Sequence, residues 1–228
     1  MIDFHSHILP GIDDGSKDVA ETLALLNLLK GQGVRTVVAT PHFYADDESV
    51  ERFLERRAQA KALLTDKIPA GMNIVCGAEV AYYPGISRLP NLSALCIENS
   101  KLLLLEMPMS KWTDYTVKEL IELSGRGDIT VVIAHIERYM GYQSHDTLRL
   151  LRANGILLQC NASFFLRLTT KGKALSMLKK GEIHFIGSDC HNLTHRAPHI
   201  GQAFEWIEKK CGKTFLEELL NFGKAKLH

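Results

Sequence analysis

Two histidines stand two residues apart near the start of the chain, in Asp3-Phe4-His5-Ser6-His7, and a Pro10-Gly11 turn then leads to Asp13 and Asp14. Residues i and i+2 of an extended strand point to the same side, so His5 and His7 can reach one centre together. Imidazole is a ligand for zinc, manganese, iron and cobalt. A His-x-His pair alone is equally two surface histidines before a polar turn, and spacing does not choose between Asp13 and Asp14. The rest of the chain decides, because ligand-type residues recur just past the ends of its predicted strands. They occur in Thr40-Pro41-His42, Gly77-Ala78-Glu79, Glu106-Met107-Pro108, Ala134-His135 and Ser188-Asp189-Cys190-His191, with Asn161 after a further strand. Singly, His42 could cap a helix, Glu79 could pair with an arginine and His135 could be a satisfied core histidine. Glu79 and Glu106 end hydrophobic runs, however, where an unpaired carboxylate is costly. So many coincidences at strand ends point to a metal cluster. Carboxylates bridging cations ~3.5–4 Å apart are the usual device of two-metal hydrolases, activating a water as hydroxide and neutralising phosphate oxygens. Nitrogen and oxygen donors without thiolate favour Mn, Fe, Zn or Mg over a structural zinc knot.

The elements that must carry these residues alternate. Strands are predicted at Ile2 to Phe4, Thr36 to Ala39, Asn73 to Ala78, Lys101 to Leu105, Thr130 to Ala134, Ile156 to Cys160 and Ile183 to Ile186. Helices are predicted at Asp18 to Lys30, Ser49 to Thr65, Thr116 to Ser124, His145 to Ala153, Lys173 to Lys180, His199 to Lys209 and Phe215 to Phe222. The first should bury Val19, Leu23, Leu26 and Leu29, and the second Phe53, Leu54, Ala60 and Leu64. Strands separated by helices imply parallel pairing and an α/β architecture. In parallel β/α barrels the active site forms at the C-terminal strand ends, where the ligand-type residues fall. Residues 82–99, with Pro84, Gly85 and Pro90, read as a long loop with room for one short helix or strand.

The length of 228 residues suits one domain, and 46% hydrophobic with 23% charged residues is ordinary for a globular protein. A formal net charge of +1 argues against coating nucleic acid. No apolar run approaches the ~20 residues of a membrane span, and the N-terminus lacks the pattern of a secretion signal, so a cytoplasmic protein with no membrane insertion is expected. The five cysteines are widely spaced with no Cys-x-x-Cys pair, which weakens a disulfide framework.

Together, Asp3-x-His5-x-His7, Thr40-Pro41-His42, Gly77-x-Glu79, Glu106, His135 and Ser188-Asp189-x-His191 resemble the polymerase and histidinol phosphatase (PHP) superfamily. Within it, residues 7–15 (HILPGIDDG) and 133–139 (IAHIERY) resemble the CpsB/YwqE-type bacterial protein-tyrosine phosphatases. The resemblance spans almost the whole chain. It implies a single PHP domain over residues 1–228, folded as a distorted (β/α)7 TIM-like barrel with three divalent metal ions, manganese first, with Fe, Zn or Mg as alternatives. By position, His5, His7, Glu79 and Asp189 would hold one ion. Glu79, Glu106 and His135 would hold the second, and Asp14, His42 and His191 the third. Arg138 and Arg196 match phosphate-binding arginines, a role that suits guanidinium forks. The implied substrate is a phosphotyrosine-bearing protein, the C-terminal tail of a bacterial tyrosine kinase controlling capsule or exopolysaccharide synthesis. The short chain leaves little length for a lid, which suits a flexible tail. The alternatives are a small-molecule phosphomonoesterase acting on a histidinol-phosphate-like compound, a nuclease, and a non-catalytic metal-bound scaffold. Cys190-x5-Arg196 also fits the thiolate tyrosine phosphatase pattern, but no glycine lies between and no histidine precedes it. Cys190 beside the cluster is further expected to make the site sensitive to oxidation.

Overall fold

The computed structural model describes residues 1–227. In chain order the strands are β1 (Ile2–Ser6), β2 (Thr36–Ala39), β3 (His42–Phe43), β4 (Asn73–Cys76), β5 (Glu79–Ala81), β6 (Leu102–Glu106), β7 (Thr130–Ile133), β8 (Leu157–Asn161) and β9 (Phe185–Gly187). The helices are α1 (Val19–Gly31), α2 (Val50–Ala62), α3 (Asp114–Ser124), α4 (His145–Ala153), α5 (Ala162–Leu166), α6 (Lys171–Lys179), α7 (Ile200–Cys211) and α8 (Lys213–Lys226). All strand pairs are parallel, in the orders β1-β2-β4 and β3-β5-β6-β7-β8-β9. The two sheets are one wall. β3 continues β2 after Thr40-Pro41, and β5 continues β4 after Gly77-Ala78, so seven staves run round the molecule. Closure comes where the Asp189 N–H donates to the His5 carbonyl at 2.8 Å and the His7 N–H donates to the Cys190 carbonyl at 2.9 Å. The result is the expected distorted seven-stranded parallel α/β barrel, similar in architecture to a TIM barrel.

The expected third strand, Asn73 to Ala78, ends at Cys76, and a separate strand, β5, follows at Glu79–Ala81. Pro41 has no N–H to donate to a ladder. Opposite it, the Glu98 N–H takes the Cys76 carbonyl at 2.8 Å while the Ile97 N–H takes the Leu102 carbonyl at 2.8 Å, so residues 97–98 wedge β4 from β6. Residues 82–99 form two single helical turns, Ile86–Arg88 and Leu92–Leu95, not an open loop. Glu119 of α3 organises them, accepting from the Tyr82 hydroxyl, the Gly85 and Ser87 N–H groups and the Ser87 hydroxyl at 2.8 to 3.2 Å. Helix α1 buries Thr22, Leu25, Leu26 and Leu29, a face rotated from the expected stripe of Val19, Leu23, Leu26 and Leu29. The rotation follows the Thr22 hydroxyl, which bonds the Ile8 carbonyl at 2.8 Å. In α2, Leu54 is half-buried, whereas Phe53 and Ala60, and Leu64 just beyond it, are buried as expected.

Inside the barrel, Phe4, Val38, Leu102, Leu104, Val132, Ala134 and Phe185 form an apolar plug. Helix α8 closes its lower end, with Gly223 against Phe4 and Leu227 joining the plug. The opposite, C-terminal end of the interior is filled by polar side chains.

Candidate metal centre

A bulge in β1 sets the site's first corner. Asp3 pairs with Val37 and Ser6 with Ala39, so β1 carries one residue more than β2 between those points. Bulges re-aim side chains. Here Phe4 and His5, adjacent in sequence, both face inward: Phe4 meets Phe185 in the plug at 4.5 Å, and His5 Nε2 lies 3.2 Å from Glu79 Oε2. The close β1–β9 approach requires Gly187, where a Cβ would stand 2.5 Å from the His5 Cβ. Two other site residues are presented from left-handed backbone, His135 at φ 29° and Asp189 at φ 54°. Such conformations cost about 1–3 kcal/mol and persist where surrounding structure imposes them.

His5, His7, Asp14, His42, Glu79, Glu106, His135, Asp189 and His191 all come together at this end. Ligand atoms of His5, His7 and Asp189 lie within 4.8 Å of one another, as do those of His7, Asp14, His42 and His191, and those of His42, Glu79 and Glu106. Glu79 is central: Oε2 is 3.2 Å from His5 Nε2 and from His7 Nε2 and 3.3 Å from His42 Nδ1, and Oε1 is 2.8 Å from His135 Nε2. Glu106 Oε1 stands 3.5 Å from His135 Nε2, and Asp14 Oδ1 stands 3.5 Å from His42 Nε2 and 3.3 Å from His191 Nε2. These groups differ from the three that the resemblance implies: His7 and His42 each stand in two, and His42 rather than His135 completes the group with Glu79 and Glu106.

The donor set fits divalent cations. The Nε2 atoms of His5 and His7 face each other at 3.2 Å, an arrangement that needs a shared proton or a cation between them. Among the described residues, His42 Nδ1 and His191 Nε2 are buried without a hydrogen-bond partner. Lone pairs aimed at carboxylate oxygens, with no thiolate near, suit an ion taking nitrogen and oxygen ligands.

Supporting polar residues surround these donors, and of them Gln159 and Tyr139 have no role assigned from the sequence. Asp13 accepts from His7 Nδ1 at 2.7 Å and from the Gly15 and His42 N–H groups at 3.0 and 3.1 Å. Gln159 Oε1 accepts from the His135 N–H at 2.6 Å, and its amide donates to Asn161, whose own amide donates to Asp189 Oδ2 at 2.8 Å. The Tyr139 hydroxyl takes the Met107 N–H at 3.0 Å and lies 3.1 Å from His135 Nδ1, which leaves Nε2 for the cluster. Such partners fix the ring orientation of ligating histidines. Asp3 accepts from the Ser188 and His5 N–H groups at 2.7 and 3.3 Å, tying β1 to the β9 turn.

Without cations, the centre is electrostatically polarised. Burial pushes the His7 imidazole down, but the Asp13 and Glu79 carboxylates overcome it and raise its pKa to about 10. Burial would raise Glu79, yet His5, His135 and His7 hold it well below its usual range. Burial and then the Glu79 charge push Glu106 up to about 7, while burial, His7 and Arg196 push His191 down to about 4.

Both expected arginines reach the centre. Arg138 Nη2 bonds Asp189 Oδ2, and Arg196 Nη2 bonds Asp189 Oδ1 at 2.7 Å. The thiolate reading of Cys190 fails. Its thiol is fully buried and burial pushes its pKa up, which makes it a poor nucleophile and an inert core group rather than an oxidation-sensitive one.

The family model for capsular polysaccharide synthesis, CpsB/CapC, matches residues 1–227. The tyrosine-protein phosphatase CpsB of Streptococcus pneumoniae is 33% identical over 235 residues, spanning 96% of this chain and 94% of its own. The crystal structures of YwqE from Bacillus subtilis and CpsB from Streptococcus pneumoniae, described as unique metal-dependent tyrosine phosphatases, provide a match with TM-score 0.83 at 26% identity, covering 100% of this chain and 94% of the other. Histidinol phosphate phosphatase from Lactococcus lactis, crystallised with zinc, L-histidinol and phosphate, shares the fold at TM-score 0.56 and 14% identity, over 93% and 94% of the two chains.

Proposed function

The chain belongs to the CpsB/CapC capsular polysaccharide synthesis family, and from that premise we propose that it is a metal-dependent protein-tyrosine phosphatase. The observation that carries the reading is one cluster: three donor groups overlap through His7 and His42, Glu79 contacts four of the imidazoles, and two guanidinium groups flank them. His5, His7, Glu79 and Asp189 would hold one divalent ion, Glu79, Glu106 and His135 a second, and Asp14, His42 and His191 a third, with manganese as the ion in each. When bound, the ions supply Lewis acidity, neutralising phosphoryl oxygens and acidifying a water. Glu79 is placed to serve two ions, because its two oxygens face different imidazoles.

Arg138 and Arg196 bind the phosphoryl group. Asp189 holds one nitrogen of each, and the remaining donors of the forks suit the equatorial oxygens, where charge develops during transfer. Asp13 and Tyr139 hold the Nδ1 atoms of His7 and His135, so that Nε2 of each stays directed at the centre. Gln159 and Asn161 fix the His135 backbone and the Asp189 carboxylate. The leaving phenol has an ordinary pKa of about 10, so its departure asks less of an acid than an alkyl alcohol would. The substrate is a phosphotyrosine-bearing protein, the C-terminal tail of a bacterial tyrosine kinase in capsule or exopolysaccharide synthesis, met in the cytoplasm. No described helix is long and apolar enough to cross a membrane. Residues 1–228 constitute one phosphatase domain.

The test is a substrate panel with manganese: a phosphotyrosyl peptide, histidinol phosphate and single-stranded DNA, each repeated in EDTA. Expected is fastest turnover of the peptide, lost on chelation and restored by metal. Equal or faster turnover of histidinol phosphate overturns the tyrosine assignment, and activity that survives EDTA overturns the metal assignment.

A further inference from the structure

The rim of the cluster is a closed ring of six side chains. From Asp189 it passes to Arg196 at 2.7 Å, to Asp14 at 3.7 Å, to His42 at 3.5 Å and to Glu106 at 3.9 Å. It returns through Arg138 at 3.9 Å, whose other nitrogen meets Asp189. In this ring of contacts both guanidinium groups neighbour Asp189, and His42 is three places from it either way. Against the His42 ring stands Tyr44, with ring centroids 5.5 Å apart and planes inclined by 28°. Tyr44 is 42% exposed, so the rest of its ring is open to solvent at the rim.

Its loop is fixed relative to the centre. The Tyr44 carbonyl accepts from the Asp47 and Glu48 N–H groups at 3.1 and 3.4 Å. Glu48 pairs with Arg56, and the same guanidinium donates to the Ile12 carbonyl at 2.5 Å, next to Asp13 and Asp14. The turn behind Tyr44 is thus tied through one arginine to the loop that carries the site's carboxylates. An exposed aromatic held in this way loses little freedom when a second ring packs against it.

We propose that Tyr44 forms a leaving-group subsite for a planar aryl ring, rather than for an alkyl chain, of the phosphomonoester. This rests on the phosphatase reading above. The phosphoryl group, drawn to the guanidinium side, directs the ester oxygen and its substituent across the ring towards His42 and Tyr44. There a phenyl ring finds an aromatic face already ordered, and offset aromatic pairs are favourable beyond the area they bury. An alkyl substituent gains only ordinary apolar contact. Tyr44 is therefore a specificity-determining residue, selecting phosphotyrosine over phosphoserine and phosphothreonine.

The experiment compares kcat/KM for a phosphotyrosyl peptide and for the same peptide bearing phosphoserine, in wild type, Tyr44→Phe, Tyr44→Leu and Tyr44→Ala, all loaded with manganese. Calorimetric Kd values for benzylphosphonate and ethylphosphonate, which are not hydrolysed, are measured alongside. Wild-type turnover of the phosphotyrosyl peptide checks the phosphatase reading; the change in the aryl-to-alkyl ratio checks the subsite. Tyr44→Ala and Tyr44→Leu should lower that ratio roughly three- to tenfold, the loss of one aromatic pair, through KM and with the same change in the phosphonate Kd ratio. Tyr44→Phe should keep both ratios. Should Tyr44→Ala misfold, Tyr44→Leu, which keeps apolar bulk without a flat ring, carries the same expectation. Ratios unchanged in Tyr44→Leu, or aryl and alkyl values falling in parallel, overturn the subsite even where wild type cleaves phosphotyrosine. If wild type cleaves neither peptide, the phosphonate ratios still decide the subsite.

Discussion

Asp13 and Asp14 are adjacent carboxylates with opposite surroundings. Asp14 is exposed at the rim, reaching His42 and His191, whereas Asp13 is turned inward against His7 and two backbone N–H groups. Burial would raise the Asp13 carboxyl, but the bond to His7 and its charge bring it down to about 2. A carboxylate in that position orients an imidazole and increases its basicity towards a metal, and losing such a partner typically costs roughly 10–100-fold in metal affinity. Asp13→Ala should therefore weaken manganese binding by about that factor, as measured by competition with a chelator of known affinity. Unchanged affinity would remove Asp13 from the support of His7. Spacing could not separate these two residues, because the difference lies in which way a turn points each side chain. Gln159 and Tyr139 escaped for a related reason: a lone glutamine within Leu157-Leu158-Gln159-Cys160 is a weak signal until His135 is seen beside it. Most residues able to ligate were legible because they fall at or just past the ends of apolar runs, whereas Gln159 sits inside one.

At the scale of elements, the first, second and fourth helix starts were well marked, whereas α3 begins at Asp114 rather than Thr116 and α5 was not expected. Asp18, Ser49, Thr113 and Ser144 each accept an N–H from three residues on, at 2.9 to 3.3 Å. The broken strands were not, because the breaks depend on what lies alongside: residues 97–98 enter from a distant segment, and the β1 bulge exists only against β2. Another element feature invisible in the sequence is the rung before β9. The His184 N–H donates to the Leu158 carbonyl at 2.9 Å, and the Leu158 N–H returns a bond to His184 Nδ1 at 3.0 Å. The ring must be neutral at Nδ1 to accept. Burial, aided by the Arg152 and Lys226 charges, pushes its pKa down to about 4. An unfolded histidine titrates near ~6.5, so between these values the unfolded chain binds the proton more tightly. The stabilising contribution is complete above pH ~6.5 and is lost as pH falls towards 4, by at most about 3 kcal/mol. His184→Gln keeps an acceptor and removes the titration. With EDTA present throughout, the fall in Tm from pH 7 to 4.5 should be shallower in that variant than in wild type, and identical slopes would show that His184 does not titrate as proposed.

Over the whole molecule, the barrel interior divides into an apolar plug sealed by α8 and a polar end that is poorly satisfied alone. The polar end draws its donors from β1, the turn after it, β3, β5, β6 and the residues after β7 and β9, from His5 to His191. No local segment of the unfolded chain can gather that set, so cations that bind it bind the folded state. Linkage then fixes the sign: free metal at 100 times its Kd stabilises by about 2.7 kcal/mol per site. For a chain of this length, 1 kcal/mol moves Tm by about 2–4 °C, so one filled site should raise Tm by roughly 5–10 °C and further sites by more. The gain should also shrink in acid, because an ion must displace the proton that Asp13 and Glu79 hold on His7, whose pKa is raised to about 10. Calorimetric melts in EDTA and across a manganese series, at pH 8 and pH 6, measure both effects. Tm should climb with the logarithm of free manganese once binding saturates, more steeply than one site allows if several ions bind, and with a smaller shift at pH 6. A Tm indifferent to manganese at both pH values would mean that this end of the barrel is held by its own hydrogen bonds and ion pairs alone, and the metal assignment would fall with it.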